Sequence, residues 1–171
     1  AIWGRLPELI VGHGVLGRLI ARIVMAEGGP APVDWETRAG RREGATGYPV
    51  IDPAADARCD YACVTDASGD PDLLDTLIAR LRRGGEVVLA GFYERALSFA
   101  FPPAFMREAA VRIPAEFRDA DLARASRLVA EGRLSLDGLI THRSTSHQAS
   151  EAYRAAFEDP SCLKALIDWR V

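Results

Sequence analysis

Apolar and polar positions follow two periods along this chain, and the switches between them mark its elements. Leu9, Ile10 and Val11 form an unbroken apolar run, the pattern of a strand covered on both faces. The run stops at Gly12. Apolar residues then recur at helical spacing through Val15, Leu16, Leu19, Ile20, Ile23 and Val24, and Gly28-Gly29-Pro30 closes that helix. Further strands are predicted over 32–36, 48–52, 60–66 and 86–91. Asp70-Pro71 reads as the cap and first position of a second helix. Its stripe is Leu73, Leu74, Leu77, Ile78 and Leu81; Arg80, Arg82 and Arg83 suit its end, and Gly84-Gly85 stops it.

Strands alternating with helices at these lengths predict an α/β fold of the Rossmann type, a doubly wound parallel sheet. Its crossovers are right-handed, and ligands sit beyond the carboxyl ends of the strands. Those ends are Gly12, Glu36, Ser68-Gly69 and Gly91-Phe92-Tyr93.

The pattern then changes. Leu97-Ser98-Phe99-Ala100-Phe101 alternates and ends at Pro102-Pro103, which predicts an edge strand. Phe105 and Met106 make an apolar turn or short helix, and 110–113 is another strand candidate. A helix over 121–131 turns Leu122, Ala125, Leu128 and Val129 inward. A short strand over 139–142, a helix marked by Ala149, Ala152, Tyr153, Ala156 and Phe157, and a strand over 163–168 complete the chain. Trp3 and Pro7 belong to a lead-in. The cluster of Phe99, Phe101, Phe105 and Met106 reads first as core, then as a seam between two copies in a homodimer; contact with a flat macrocycle is a weaker third reading.

The first strand-to-helix turn carries Gly12-x-Gly14-x-x-Gly17, the dinucleotide-binding pattern in its proper setting. The first glycine permits the tight turn. The second lets backbone approach a pyrophosphate, and the third lets the helix lie close on the sheet. Free amides and the dipole at the helix start favour the phosphates. Glu36 lies 19 residues beyond Gly17, close to the distance of about 20 expected for the acid that holds a ribose 2′-hydroxyl. That favours NAD over NADP, although Arg38, Arg41 and Arg42 follow at once and an arginine there suits a 2′-phosphate. The candidate cofactor-binding residues are Gly12, His13, Gly14, Val15, Leu16, Gly17, Glu36, Thr37, Arg41, Ser68, Gly69, Gly91, Phe92 and Tyr93. His13 either touches the cofactor or is a turn residue facing solvent or packing on the fold. His142 and His147 read as structural or solvated. No residue is assigned as a general base, because geometry comes before pKa in that assignment.

Composition narrows the classes. The chain has 171 residues, 49% of them hydrophobic, with no apolar run near the roughly 20 residues of a membrane span. A formal charge of −3 gives no electrostatic case for nucleic acid. No secretory leader is evident, and Cys59, Cys63 and Cys162 match no zinc-module spacing. A reducing, cytoplasmic setting is expected, with the thiols as small core residues. The first residue is Ala1, so the start is read as processed, engineered, or internal to a longer protein. No tyrosine is followed four residues later by lysine, which excludes the short-chain dehydrogenases. Arg18-Leu19 stands where a P-loop needs Lys-Ser/Thr. The spacing also fits the methyltransferases worse.

Gly12-x-Gly14-x-x-Gly17, Asp66-Ala67-Ser68-Gly69 and the run from Arg83 through Gly91 resemble the cofactor-binding half of medium-chain alcohol dehydrogenases, as does the tail from Gly132 to Tyr153. The resemblance covers essentially the whole chain and implies a dinucleotide-binding domain over 1–171, with 139–171 as the segment that closes on the family's catalytic domain. That GroES-like domain has no counterpart in these residues, and no zinc-ligand set is found among the cysteines and histidines. An apolar patch is expected where it would pack. The segments 9–19 and 97–108 look like the branch of the family that acts in bacteriochlorophyll biosynthesis and photosynthesis. This implies an NAD-dependent oxidoreductase that converts the 3-(1-hydroxyethyl) group of a chlorophyll-type pigment to 3-acetyl. A non-catalytic NAD(H)-binding sensor or scaffold module is the alternative.

Overall fold

The computed structural model describes residues 4–170, so Trp3 lies outside the described residues. The chain divides into two units, Ala1–Leu134 and Ser135–Val171.

The first unit is built on a six-stranded sheet of β1 (Leu9–Val11), β2 (Val33–Trp35), β3 (Val50–Ile51), β4 (Tyr61–Asp66), β5 (Leu81–Leu89) and β6 (Ala110–Arg112). The strand order is β3-β2-β1-β4-β5-β6, and every pairing is parallel. This is the doubly wound α/β sheet the alternation predicted, with the order reversing beside β1. Leu9 and Val11 pack into one apolar cluster with Leu74, Leu77 and Ile78 of α2 (Leu74–Arg80). Ile10, between them, packs into another with Ile20, Ala21 and Val24 of α1 (Val15–Ala26). A strand so covered has no polar face, which is why its three residues are all apolar. Each such side chain contributes about 1.5–3 kcal/mol on burial.

Several local expectations are corrected. The second helix opens at Leu74, not Asp70. The Asp70 carboxylate accepts the amide of Asp72 at 3.0 Å, and the Ser68 hydroxyl accepts that of Asp70 at 3.1 Å, so these cap residues serve successive turns instead. Gly84-Gly85 does not end a helix. It lies inside β5, where the register against β4 shifts and Gly84 adopts φ +68°. Residues 97–101 form no strand: α3 (Phe101–Met106) begins there, with proline in its first turn. Proline fits that turn because the missing N–H has no acceptor within the helix.

The aromatic cluster is likewise not core. Phe99, Phe101, Phe105 and Met106 are exposed and border an open groove of about 580 Å³ beside the Arg83–Glu108 ion pair. In α4 (Asp119–Ala130), Leu122 and Val129 are exposed; Leu128 alone is buried, against Ala26 and Leu134.

In the second unit β7 (His142–Thr145) and β8 (Ala165–Asp168) form a two-stranded parallel sheet, connected through α5 (Ala149–Glu158). The strand expected over 139–142 thus falls three residues later. His142 is held by the Thr141 hydroxyl at 2.9 Å and Asp159 at 3.3 Å.

Candidate functional site

The ends of β1, β2 and β4 converge on one cleft, and the end of β5 packs against that of β4. At the end of β1, Gly12 adopts φ +101°, and a Cβ on it would stand 3.1 Å from the backbone of Ser68 beyond β4. The Gly12 amide donates to the Trp35 carbonyl of β2 at 2.8 Å. Beyond β5, a Cβ on Gly91 would stand 2.8 Å from the Gly69 amide nitrogen. Asp66 ties these ends together. Its Oδ1 accepts the Ser68 amide at 2.9 Å and hydroxyl at 2.6 Å, and its Oδ2 accepts the Tyr93 hydroxyl at 2.8 Å. Burial and that carboxylate push the Tyr93 phenol above its ordinary range.

The glycines divide the work. A Cβ on Gly17 would stand 2.0 Å from the Gly12 carbonyl oxygen, so close packing of α1 on the turn requires this glycine. A Cβ on Gly14 would meet nothing within 4 Å. Gly14 caps α1 without a side-chain acceptor, and the first turn carries no acidic residue. The first-turn amides have no acceptor within the helix, so the α1 start presents donors and the positive end of its dipole.

Gly12, Gly14, Glu36, Thr37, Arg41 and Ser68 line a cleft of about 410 Å³, which also takes in Trp35, Arg38, Pro53, Asp70, Leu73 and Thr76. The other candidates stand around it. Val15 and the exposed Leu16 form the first turn of α1, with Gly17 buried behind them. Gly69 and Gly91 join two strand ends, Phe92 is 90% exposed, and Tyr93 points its hydroxyl at Asp66. The His13 side chain is fully buried: Nδ1 meets the Arg41 carbonyl at 2.6 Å, and Nε2 the Tyr48 hydroxyl at 2.8 Å. Burial holds its pKa below the usual value, and the positive Arg18 acts the same way.

Glu36 is buried at the end of β2, with Oε1 accepting the Arg38 amide at 2.8 Å. Arg42 is drawn away from the role weighed for it. It donates to the carbonyls of Glu36 at 2.7 Å and Thr37 at 2.9 Å and pairs with Asp52. Arg38 and Arg41 remain on the cleft.

Sequence reasoning missed Arg18, Tyr48, Asp34 and Asp66. Asp34, the middle residue of β2, is fully buried and has neither carboxylate oxygen hydrogen-bonded. Burial first, and then the nearby Glu36 carboxylate, push it up to about 8, against the pull of Arg18.

Among the described residues no group of three or more His, Cys, Asp or Glu could hold a metal ion, and no helix is long and apolar enough to cross a membrane. Cys63 and Cys162 are buried, as expected of small core residues, but Cys59 is exposed.

No protein-family model matches the chain. It is 58% identical over 165 residues to the 2-desacetyl-2-hydroxyethyl bacteriochlorophyllide A dehydrogenase of Rhodobacter capsulatus, covering 96% of this chain and 52% of that protein. It is 56% identical to the protein of the same name from Cereibacter sphaeroides, with the same coverage. The chain thus spans about half the length of these relatives. In fold it is similar to the 2R,3R-butanediol dehydrogenase of Bacillus subtilis, with a TM-score of 0.81 at 22% identity, covering 95% of this chain and 50% of that one. By sequence the chain is similar to about half of these bacteriochlorophyllide dehydrogenases, and by fold to about half of the butanediol dehydrogenase.

Proposed function

We propose that this chain is the NAD-binding portion of an oxidoreductase that oxidises a secondary alcohol to a ketone, its substrate being the hydroxyethyl group of a bacteriochlorophyllide, converted to acetyl. The observation that carries the cofactor part is the empty space around Gly14. The fold itself does not require a glycine there, since a Cβ would meet nothing within 4 Å. A dinucleotide does require one, because its pyrophosphate must approach that backbone. The α1 amides and Gly14 hold the pyrophosphate, and Glu36 accepts the ribose hydroxyls. When bound, the nicotinamide supplies the hydride acceptor. Glu36 also favours NAD, since a carboxylate repels a 2′-phosphate and the donors of Arg42 are committed to Glu36, Thr37 and Asp52. The pigment part of the proposal rests on the identity to the bacteriochlorophyllide dehydrogenases over 96% of this chain.

Calorimetric titration with NAD, NADP and their reduced forms tests the cofactor reading. NAD binding with a weaker NADP isotherm is expected, and no binding of any dinucleotide overturns the proposal. Spectrophotometric assay of hydroxyethyl pigment oxidation, with the chain joined to a catalytic domain of the relatives, tests the substrate. Cofactor binding without turnover of that pigment leaves the sensor or scaffold reading in its place.

A further inference from the structure

We infer that Arg18 and His13 are positioning residues that clamp the rim segment 38–44 to the glycine turn and so fix the ribose end of the cleft, on which the choice between NAD and NADP depends. The inference rests on the nicotinamide-cofactor reading proposed above. Arg18 follows Gly17 in α1 and is buried, 6% exposed. Its guanidinium donates to three backbone carbonyls: that of His13 at 3.2 Å, of Arg41 at 3.1 Å and of Glu43 at 2.8 Å. The rim makes room for it, because a Cβ on Gly44 would stand 2.5 Å from Nη1, and that glycine takes φ +81°. An arginine at this point would ordinarily extend its head into water. Here it is folded under the loop.

His13 is the second bolt. A carbonyl only accepts, so Nδ1, 2.6 Å from the Arg41 oxygen, carries the proton, and Nε2 accepts the Tyr48 O–H at 2.8 Å. The Arg41 carbonyl thus takes donors from both His13 and Arg18. The rim has little regular structure of its own beyond a single 3₁₀ turn, Ala39–Arg41. These bonds fix its position, and Arg38 and Arg41 on the cleft move with it. Release of the clamp loosens the ribose end and erodes selectivity between cofactors.

The test measures Kd for NAD and NADP by calorimetry on the wild-type chain, Arg18→Met, His13→Leu, His13→Gln and Tyr48→Phe, with amide hydrogen exchange over 39–44 in the unliganded proteins. Hydrogen bonds from a charged donor are worth roughly a tenfold change in an equilibrium constant or more. Arg18→Met is expected to weaken NAD about tenfold and to cut the NAD preference at least about fivefold, with faster exchange across 39–44. His13→Leu moves both readouts the same way, and His13→Gln, which keeps one donor and one acceptor, restores them. A folded Arg18→Met with unchanged cofactor preference, or with unchanged exchange over 39–44, overturns the clamp. If Arg18→Met does not fold, Tyr48→Phe decides, since it removes one hydroxyl; an unchanged preference and unchanged exchange then overturn the inference. Failure of the wild-type chain to bind either dinucleotide instead overturns the cofactor reading, and the exchange data then judge the clamp alone.

Discussion

Gly17 and the Gly12 carbonyl are packed so closely that a methyl group on Gly17 would stand 2.0 Å from the oxygen, whereas one on Gly14 would meet nothing within 4 Å. Gly17→Ala is expected to destabilise the fold by about 1–3 kcal/mol, because backbone must move to admit the methyl. Gly14→Ala is expected to change stability by less than about 1 kcal/mol: a poorer helix cap opposes a less flexible unfolded chain. It nevertheless weakens NAD at least about tenfold by blocking approach to the backbone. Chemical denaturation and calorimetry on the two variants read these effects separately. Equal loss of stability in both would remove the assignment of Gly14 to the ligand.

Glu36 is buried, with one oxygen on the Arg38 amide and the residue on the cleft wall. Glu36→Gln keeps that acceptor and removes the charge. NAD is expected to bind about threefold more weakly and NADP up to about tenfold more tightly, since the ribose loses a charged acceptor and the phosphate loses a repulsion. The ratio of the two constants, measured at one ionic strength, checks this. An unchanged ratio would move cofactor choice to Arg38 or Arg41.

What is legible in the chain depends on distance. Leu9-Ile10-Val11 declares a doubly covered strand within three residues, and the glycine spacing declares the turn beside it. The β4 and β5 ends are readable for the same reason, as short runs stopped by small residues. The alternation from Leu97 to Phe101 misleads because period two also arises by chance in a loop, and only the prolines in the first turn of α3 reveal its true state. Arg18 and Asp34 are invisible because their neighbours are distant in sequence: Arg18 bonds to Arg41 and Glu43, and Asp34 stands against the Arg18 charge. A charge inside a helix reads as solvated until tertiary structure covers it. The aromatic residues near α3 read as core from composition alone, and no local pattern distinguishes a buried from an exposed phenylalanine.

Tyr93 donates to Asp66 Oδ2 at 2.8 Å, and Asp66 is 1% exposed. Tyr93→Phe leaves a buried carboxylate oxygen short of its donor, at a cost of about 1–3 kcal/mol. Ser68→Ala removes one of two donors to the other oxygen, while the Ser68 amide remains, so about 1 kcal/mol is expected. Both changes strain the same carboxylate, so the double variant should depart from the sum of the two. Strict additivity in urea denaturation would show that Asp66 does not couple the two strand ends.

Asp34 and His13 give the stability curve its shape in pH. Asp34 titrates at about 8 in the folded chain against 3.8 for the ordinary group, so between those values the folded state holds a proton that the unfolded state has lost. Stability from this residue falls as pH rises through that window, by about 1.4 kcal/mol per unit at most, and is level above it. His13 is depressed below its ordinary 6.5, so below that value the unfolded state binds a proton that the folded state refuses. Its contribution rises with pH up to about 6.5 and is then level. The two slopes oppose each other just below about 6.5, and Asp34 acts alone from there to about 8. Denaturation midpoints of the wild-type chain should therefore be nearly flat just below pH 6.5 with respect to this pair and decline above it. Asp34→Asn should abolish the decline. His13→Gln should extend it below 6.5 by removing the opposing slope. An Asp34→Asn curve parallel to wild type between pH 6.5 and 8 would show that this carboxyl does not hold its proton in the folded state.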